Sequence, residues 1–476
     1  MISLTVVSMV ISFIPFSVGV VDTIKQQRDT TSYYVEAGSH GTMRETSPPR
    51  YGQQINGMTI GLDSRSRFEF RRNDLRKAVA NSVDFPLLLR QRMFIGVDNS
   101  HDIFQFGLEV EDARVAFSQY PLTNRDVNQT ELIQGYIGLR FENKGRPVTV
   151  RLGRMAFEFL DRRLIAMNQW RNTTNNFAGF HAAWGEDRND WQVDLMVLRP
   201  IVRVMDSFDE ADYHRLFFAV IGHWRRWSNR LTIEPFIMSL RQDPHPSNDL
   251  IDRKVHSIGI RTYAWVGDTG LNYDLSGICQ FGHDGSVVQR AFAYTAEIGY
   301  TIKTNTHRPR LSVFFGYASG DRDPNDHVNN RFERYFGSGS PWSPDDYIIM
   351  ENIMSPKLKI EFQQQVGPMN VKVDGGYSGY WLASATDRMN NLLAGLSQNR
   401  DKFGKSSNFI GHGADIRLRF SPLSFVDATV GYSQFYNGTF VQSRQHDALL
   451  KSVRSTNFAF IEFSVNIPKL IGDRVN

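Results

Sequence analysis

Apolar and charged residues take turns along most of this chain, one residue at a time. In Met58–Arg71, Ile60, Leu62, Phe68 and Phe70 share one parity, and Asp63, Arg65, Arg67, Glu69 and Arg71 share the other. The run Phe104–Glu111 sets Phe104, Phe106, Leu108 and Val110 against Gln105, Glu109 and Glu111, and Lys357–Gln363 sets Leu358, Ile360 and Phe362 against Lys357, Lys359, Glu361 and Gln363. Side chains of a strand point alternately to its two faces, so each run is a strand with one apolar and one charged face. A charged inner row is foreign to a water-soluble sandwich and suits a wall with lipid on one side and water on the other.

Segments of this kind begin near Met58, Leu87, Phe104, Leu132, Val148, Phe177, Trp191, Leu216, Leu231, Ser257, Asn272, Ala291, Leu311, Lys357, Asn370, Ile410, Phe425 and Phe458, eighteen in all. An even number is what single-chain bacterial barrels require. Every second connection is tight: Asp98–Ile103, Glu142–Pro147, Gly185–Asp190, Arg225–Arg230, Val266–Gly270, Lys303–Arg310, Val366–Pro368 and Ser421–Ser424. Gly, Asn, Asp and Pro punctuate nearly all of them, as hairpins demand. Most of the others are long, notably Ala113–Glu131, Arg154–Asn176, Arg199–His214, Ala318–Pro356, Leu382–Asn408 and Gly438–Asn457. Neither a sandwich nor a propeller segregates loop lengths by parity, and no propeller repeat is present. The expectation is an all-β transmembrane antiparallel barrel of about 18 strands, with short periplasmic turns and long extracellular loops in a Gram-negative outer membrane.

The barrel is assigned to residues 57–476. Ile2–Val21 is an uncharged run rich in Val, Ile and Phe, so residues 1–21 read as a secretory signal rather than a retained anchor. Residues 22–56 are polar and Pro-Gly punctuated and read as a leader. The 34 Phe, 17 Tyr and 8 Trp fit a lipid-facing surface with interfacial girdles, to which Trp184, Trp191, Trp224, Trp227, Tyr432 and Tyr436 are assigned, although aromatics also stack on sugars. The single cysteine, Cys279, excludes disulfides and cysteine-cluster metal sites and falls on the apolar parity. A net charge of +4 does not mark a nucleic-acid binder. Histidines are scattered, and no nucleophile elbow, Walker loop or dinucleotide fingerprint appears, so no enzyme is expected.

With the apolar parity toward lipid, the other lines the lumen, carrying Arg65, Arg67, Arg90, Arg92, Arg140, Arg151, Arg261, Lys357, Lys359, Lys372, Arg417 and Arg419. Guanidinium forks grip carboxylates in two-point geometry, which favours anionic solutes. The same parity holds acids, among them Asp63, Glu109, Asp374 and Asp415, so interior pairing across strands is the competing reading. Arg154, Arg162, Arg163 and Arg171 gather on the third long connection and read as a filter free of acidic neighbours if that loop folds inward. Asp321, Asp323 and Asp326 have oxygen-rich spacing suited to a loop calcium ion, or to a turn tied by carboxylate to backbone bonds.

Three stretches resemble the alginate export family of outer-membrane proteins: Leu152-Gly153-Arg154 through Asp161-Arg162-Arg163-Leu164 to Trp170-Arg171-Asn172; Gly316-Tyr317-Ala318-Ser319-Gly320-Asp321 with Asp323, Pro324 and Asp326; and Gly411-His412 with Asp415, Arg417, Arg419 and Gly431-Tyr432-Ser433. Trp381-Leu382-Ala383 with Thr386-Asp387 is a fainter match. The resemblance implies an eighteen-stranded barrel exporting a polyanionic polysaccharide, with a synthase complex as periplasmic partner. Two alternatives stay open: a general or small-organic-anion diffusion porin, and a plugged barrel that binds ligands at the surface.

Overall fold

The computed structural model describes residues 53–55 and 58–466, apart from 78–81, 98–102, 188, 229–230, 245–249, 305–306, 340, 368, 394–395, 424 and 450. The signal and almost all of the leader expected at residues 1–56 lie outside the described residues.

Eighteen strands form the wall. They are β1 Met58–Arg72, β2 Leu87–Val97, β3 Phe104–Ala116, β4 Asn128–Asn143, β5 Arg146–Met155, β6 Phe177–Trp184, β7 Trp191–Val202, β8 Arg215–Ser228 and β9 Leu231–Gln242. The second half comprises β10 Arg253–Trp265, β11 Leu271–Asp284, β12 Val287–Thr301, β13 Arg310–Ala318, β14 Ile353–Val366, β15 Met369–Trp381, β16 Phe409–Leu423, β17 Val426–Asn437 and β18 Ser455–Asn466. Each pairs antiparallel with its neighbours in sequence, and β1 pairs with β18 from Asp63↔Asn466 to Arg72↔Asn457. Closure leaves no unpaired edge, which is what a strand assembly needs in lipid, where no water can take an orphan amide.

Each segment read from the sequence corresponds to one of these strands. Several begin earlier than alternation indicates: β4, β10 and β14 start at Asn128, Arg253 and Ile353. These extensions lie on the long-loop side, where the wall rises beyond the apolar band and the ladder continues without needing a lipid face. The alternation of loop lengths has one exception, the tight hairpin between β11 and β12, with Gly285 at φ 60°. The connection between β17 and β18 carries a helix, α1 (Thr439–Leu449).

The apolar parity points outward: Phe68, Leu108, Ile258, Leu311, Leu358 and Ile416 are exposed around the barrel. Cys279 is exposed on this face, which fixes the register of β11. The interior is not uniformly charged. Met196, Leu198, Phe217, Ile221, Phe236, Met238 and Leu240 of β7–β9 point inward and are buried. On β1 and β2 the inward row is instead Asp63, Arg65, Arg67, Glu69, Arg90 and Arg92. An apolar wall thus faces a basic one, and the space between is occupied by loops.

Candidate functional site

Met155 and Phe177 are register partners at the rim of β5 and β6, so residues 156–176 leave and re-enter the wall at one point and project into the lumen. The loop reverses through positive φ at Leu160, Arg162 and Asn168, and a bridge between Glu158 and Ala166 holds its arms together. Its first half carries Phe157, Phe159, Leu160, Leu164 and Ile165, all buried in the same apolar cluster as Met196, Phe217 and Phe236. That burial drives the insertion, at roughly 2 kcal/mol for each large side chain removed from water. The second half is consequently laid across the basic wall.

There, backbone carbonyls meet guanidinium groups. Arg65 donates to the carbonyls of Gln169 (2.6 Å) and Arg171 (3.0 Å). Arg67 donates to the carbonyl of Trp170 at 2.8 Å, and its guanidinium lies 4.1 Å from that indole ring. Arg90, directly opposite Arg65 in register, also reaches the Gln169 carbonyl, at 3.2 Å. Arg92 donates to the Gln169 side chain at 3.2 Å and to Thr174. Carboxylates answer part of this charge: Glu111 takes Arg92 at 2.7 Å, Glu69 takes Arg67 at 2.8 Å, and Asp63 stands 3.9 Å from Arg90. Two like-charged side chains in direct register, Arg65 and Arg90, are held together by the neutral carbonyls of Gln169 and Arg171, with Glu462 3.8 Å from Arg65.

A second loop, 319–352, locks onto the first. Phe336 lies parallel to Ile165, with Phe336 N donating to the Leu164 carbonyl at 3.0 Å and Ser338 N to that of Arg162 at 2.8 Å. Gly337 is required at this crossing, because a Cβ there would meet the Arg163 carbonyl oxygen at 1.8 Å. The third loop, 382–408, is tied in through Asp387, which accepts from Arg331 at 2.7 Å and from Asp321 N at 2.9 Å.

The filter expected on the third long connection is partly corrected. Arg154 is not free of acids: it pairs with Glu131 of β4 and donates to the Asp209 carbonyl at 2.7 Å. Arg163 pairs with Asp161 and lies 5.2 Å from the Phe314 ring, and Arg162 is close enough to act on Glu158. Among the described residues Arg171 makes no ion pair with a carboxylate, bonding Asn175 and the Thr173 carbonyl instead. Burial, with repulsion from Arg203 and Arg125, lowers its pKa. Glu131 is more than twenty residues from Arg154 in sequence and becomes its neighbour only through the β4–β5 pairing.

The other lumen cations are placed as follows. Arg151 donates to Gln105 at 3.2 Å, and Arg261 to Asp274 at 2.7 Å with Glu234 at 3.4 Å. Lys359 pairs with Glu297 at 2.6 Å, and Arg417 and Arg419 share Asp374. Arg310, read as the end of a turn, is instead an inward residue that pairs with Glu297 at 2.8 Å. Sequence also passed over Arg203, which joins Arg171 at Asn175, and Gln169, whose carbonyl receives Arg65 and Arg90. Asp321 accepts from Asn330 N and lies 3.5 Å from Arg400, while Asp323 and Asp326 accept from the backbone of Asn325 and Val328. Among the described residues no three His, Cys, Asp or Glu side chains are grouped to hold a metal ion.

Burial pushes Glu158, Glu333, Asp345 and Glu351 of the inserted loops up in pKa, whereas Arg163 holds Asp161 below the usual carboxylate range despite its burial. The four raised acids bind their protons more tightly in the docked state than when unfolded. Their contribution is therefore complete below the ordinary carboxylate pKa of about 4 and is lost as pH rises through the raised values. Asp321 belongs with them, pushed up by its burial, while Asp161 and Asp401 act in the opposite sense but are outnumbered. Transient loop openings in single-channel records are expected to be rarer near pH 4.5 than at pH 7 (about half a unit above the ordinary value and well beyond it); equal or higher frequency at the acid pH would contradict the balance.

The profile of the alginate export family matches residues 57–453. No curated protein matches the chain in sequence. Among solved structures, three outer-membrane proteins of Pseudomonas aeruginosa share the fold. OpdQ is similar at a TM-score of 0.54 and 12% identity, over 87% of this chain and 98% of its own. OccK2 (OpdF), solved in complex with glucuronate, has a TM-score of 0.53 and 10% identity over the same shares, 87% and 98%. OprD has a TM-score of 0.52 and 8% identity, over 87% and 94%.

Proposed function

The chain belongs to the alginate export family, and we propose that this outer-membrane channel conducts hydrophilic anions in preference to cations. The observation that carries the reading is the convergence of Arg65, Arg67, Arg90 and Arg92 on the carbonyls and side chains of residues 169–174. Donors already fixed by a folded loop favour an anion without binding it tightly, as conduction requires. Solutes of this class are polyuronates, in keeping with the family, and small organic anions such as the glucuronate bound by the OccK2 structure. A passive pore has no intrinsic direction, so export and uptake are served alike. Replacing Arg65 and Arg90 together by glutamine is expected to move the anion-to-cation permeability ratio, read from reversal potentials, toward unity. An unchanged ratio would remove this wall from the selectivity filter.

A second reading, a plugged barrel that acts at the surface, is favoured by the interlocking of the three inserted loops through Phe336, Asp387 and their partners. It predicts no steady conductance.

A further inference from the structure

On the lipid face of β9–β12 the outward side chains form rows that turn from apolar to basic toward the rim where the long loops emerge. Pro235, Ile260, Gly277 and Tyr294 are register partners in one row, and Ile237, Ile258, Cys279 and Phe292 in the next. Above them come Ser239, His256, Phe281 and Arg290, and then Arg241, Lys254, His283 and Val288. The apolar rows are not level. Ile258, Ile260, Phe292 and Tyr294 stand exposed on β10 and β12, while β11 between them offers only Cys279 and Gly277. A Cβ built on Gly277 would meet nothing within 4 Å, so a furrow runs along β11 with two small residues as its floor. Its walls lie two strand spacings apart, roughly 9.5 Å, which is room for one hydrocarbon chain.

The rows above supply charge. Arg290 is exposed, and its side chain makes no ion pair among the described residues. Arg241 lies 2.9 Å from Asp243, and Lys254 lies 3.8 Å from Asp252. All four of those side chains are well exposed, and ion pairs so wet are weak enough to yield to a better anion. Three cations against two carboxylates, set over an apolar furrow, complement an amphiphile with an anionic head and a hydrocarbon tail. Phosphate suits the head, because a guanidinium fork grips two of its oxygens at once.

We propose that β9–β12 hold one phosphorylated lipid of the outer leaflet, its phosphate between Lys254 and Arg290 and one acyl chain along Cys279 and Gly277. The Phe281 ring leans on His256 of β10, with 5.4 Å between ring centres, which leaves the β12 side, beneath Arg290, as the entrance to the furrow. This surface lies outside the lumen and does not rest on the anion preference proposed above.

Cys279 is the reporter, being the single cysteine of the chain and part of the furrow floor. Its rate of alkylation by N-ethylmaleimide is measured on the refolded barrel in detergent, with phosphatidic acid or phosphatidylcholine added at rising mole fraction. The second lipid has the same chains, but a cation caps its phosphate. Phosphatidic acid is expected to slow alkylation saturably, with half-protection at a mole fraction at least about tenfold below that of phosphatidylcholine, the scale of one charge-assisted contact. Lys254→Gln combined with Arg290→Gln is expected to erase that difference, whereas Arg72→Gln, at the outward rim of β1, leaves it intact. Strand circular dichroism confirms the folding of each variant, and the comparison of the two lipids needs none. Equal protection by both lipids, or a preference that survives the double variant, overturns the proposal: the first leaves an unselective lipid face, and the second puts the phosphate elsewhere. Protection that grows with protein concentration without added lipid assigns the furrow to a second copy of the chain and overturns it too. Inorganic phosphate, which has no tail, is expected to give no protection; if it protects Cys279, the furrow does not hold the chain.

Discussion

Replacing Arg92 by leucine is expected to destabilise the folded barrel by about 3–5 kcal/mol, because it strands a buried carboxylate. Glu111 is fully buried, and its oxygens are held by Arg92 at 2.7 Å and by Thr174 at 2.6 Å (side chain) and 3.2 Å (backbone). Without the guanidinium, Glu111 keeps only neutral donors. The loss is read from urea unfolding followed by tryptophan fluorescence. Replacing Glu111 by glutamine in the same chain removes the stranded charge, so the double variant is expected to recover a large part of the deficit. If Arg92→Leu unfolds at the wild-type urea concentration, the basic wall is not held by ion pairing.

The second large effect concerns conductance. Met155 and Phe177 face each other in register, so a short Gly-Ser turn in place of residues 157–175 closes β5 onto β6 without straining the wall. The replacement removes Phe157, Phe159 and Leu164 from the lumen, and with them the carbonyls that hold Arg65, Arg67 and Arg90. It also takes away the partner of Phe336, so loop 319–352 loses its lumenal anchor. Single-channel conductance is expected to rise several-fold, with anion preference retained because the guanidinium groups stay on β1 and β2. Unchanged conductance would place the constriction elsewhere.

Much of this architecture is written in the chain as parity. A period of two, maintained for eighteen segments, requires a sheet with two unlike faces, and the segregation of tight turns from long connections requires a meander that closes. The lipid face, down to Cys279, follows from the same pattern. The inner apolar wall was less legible. Phe217 and Phe218, or Ile221 beside Val220, are apolar on both parities, and alternation does not tell which of the two faces lipid or that the inner one receives a loop. The filter was misread for a related reason: charge counted along a loop misses the partner that strand pairing supplies, as Glu131 does for Arg154. Helix α1 was hidden in a connection of polar composition, with only Phe440, Val441 and Gln445 buried. What sequence offered for the basic wall was the row itself. That Arg65 and Arg90 stand opposite each other and hold the Gln169 carbonyl is a property of register and of loop insertion, which no local pattern encodes.

The measurement that bears most directly on the channel's selectivity is the reversal potential of the refolded wild-type protein in a planar bilayer under a potassium chloride gradient. If the basic wall of Arg65, Arg67, Arg90 and Arg92 sets selectivity as proposed, the potential is displaced toward that of chloride. A potential displaced toward that of potassium, or one at zero, would contradict anion preference.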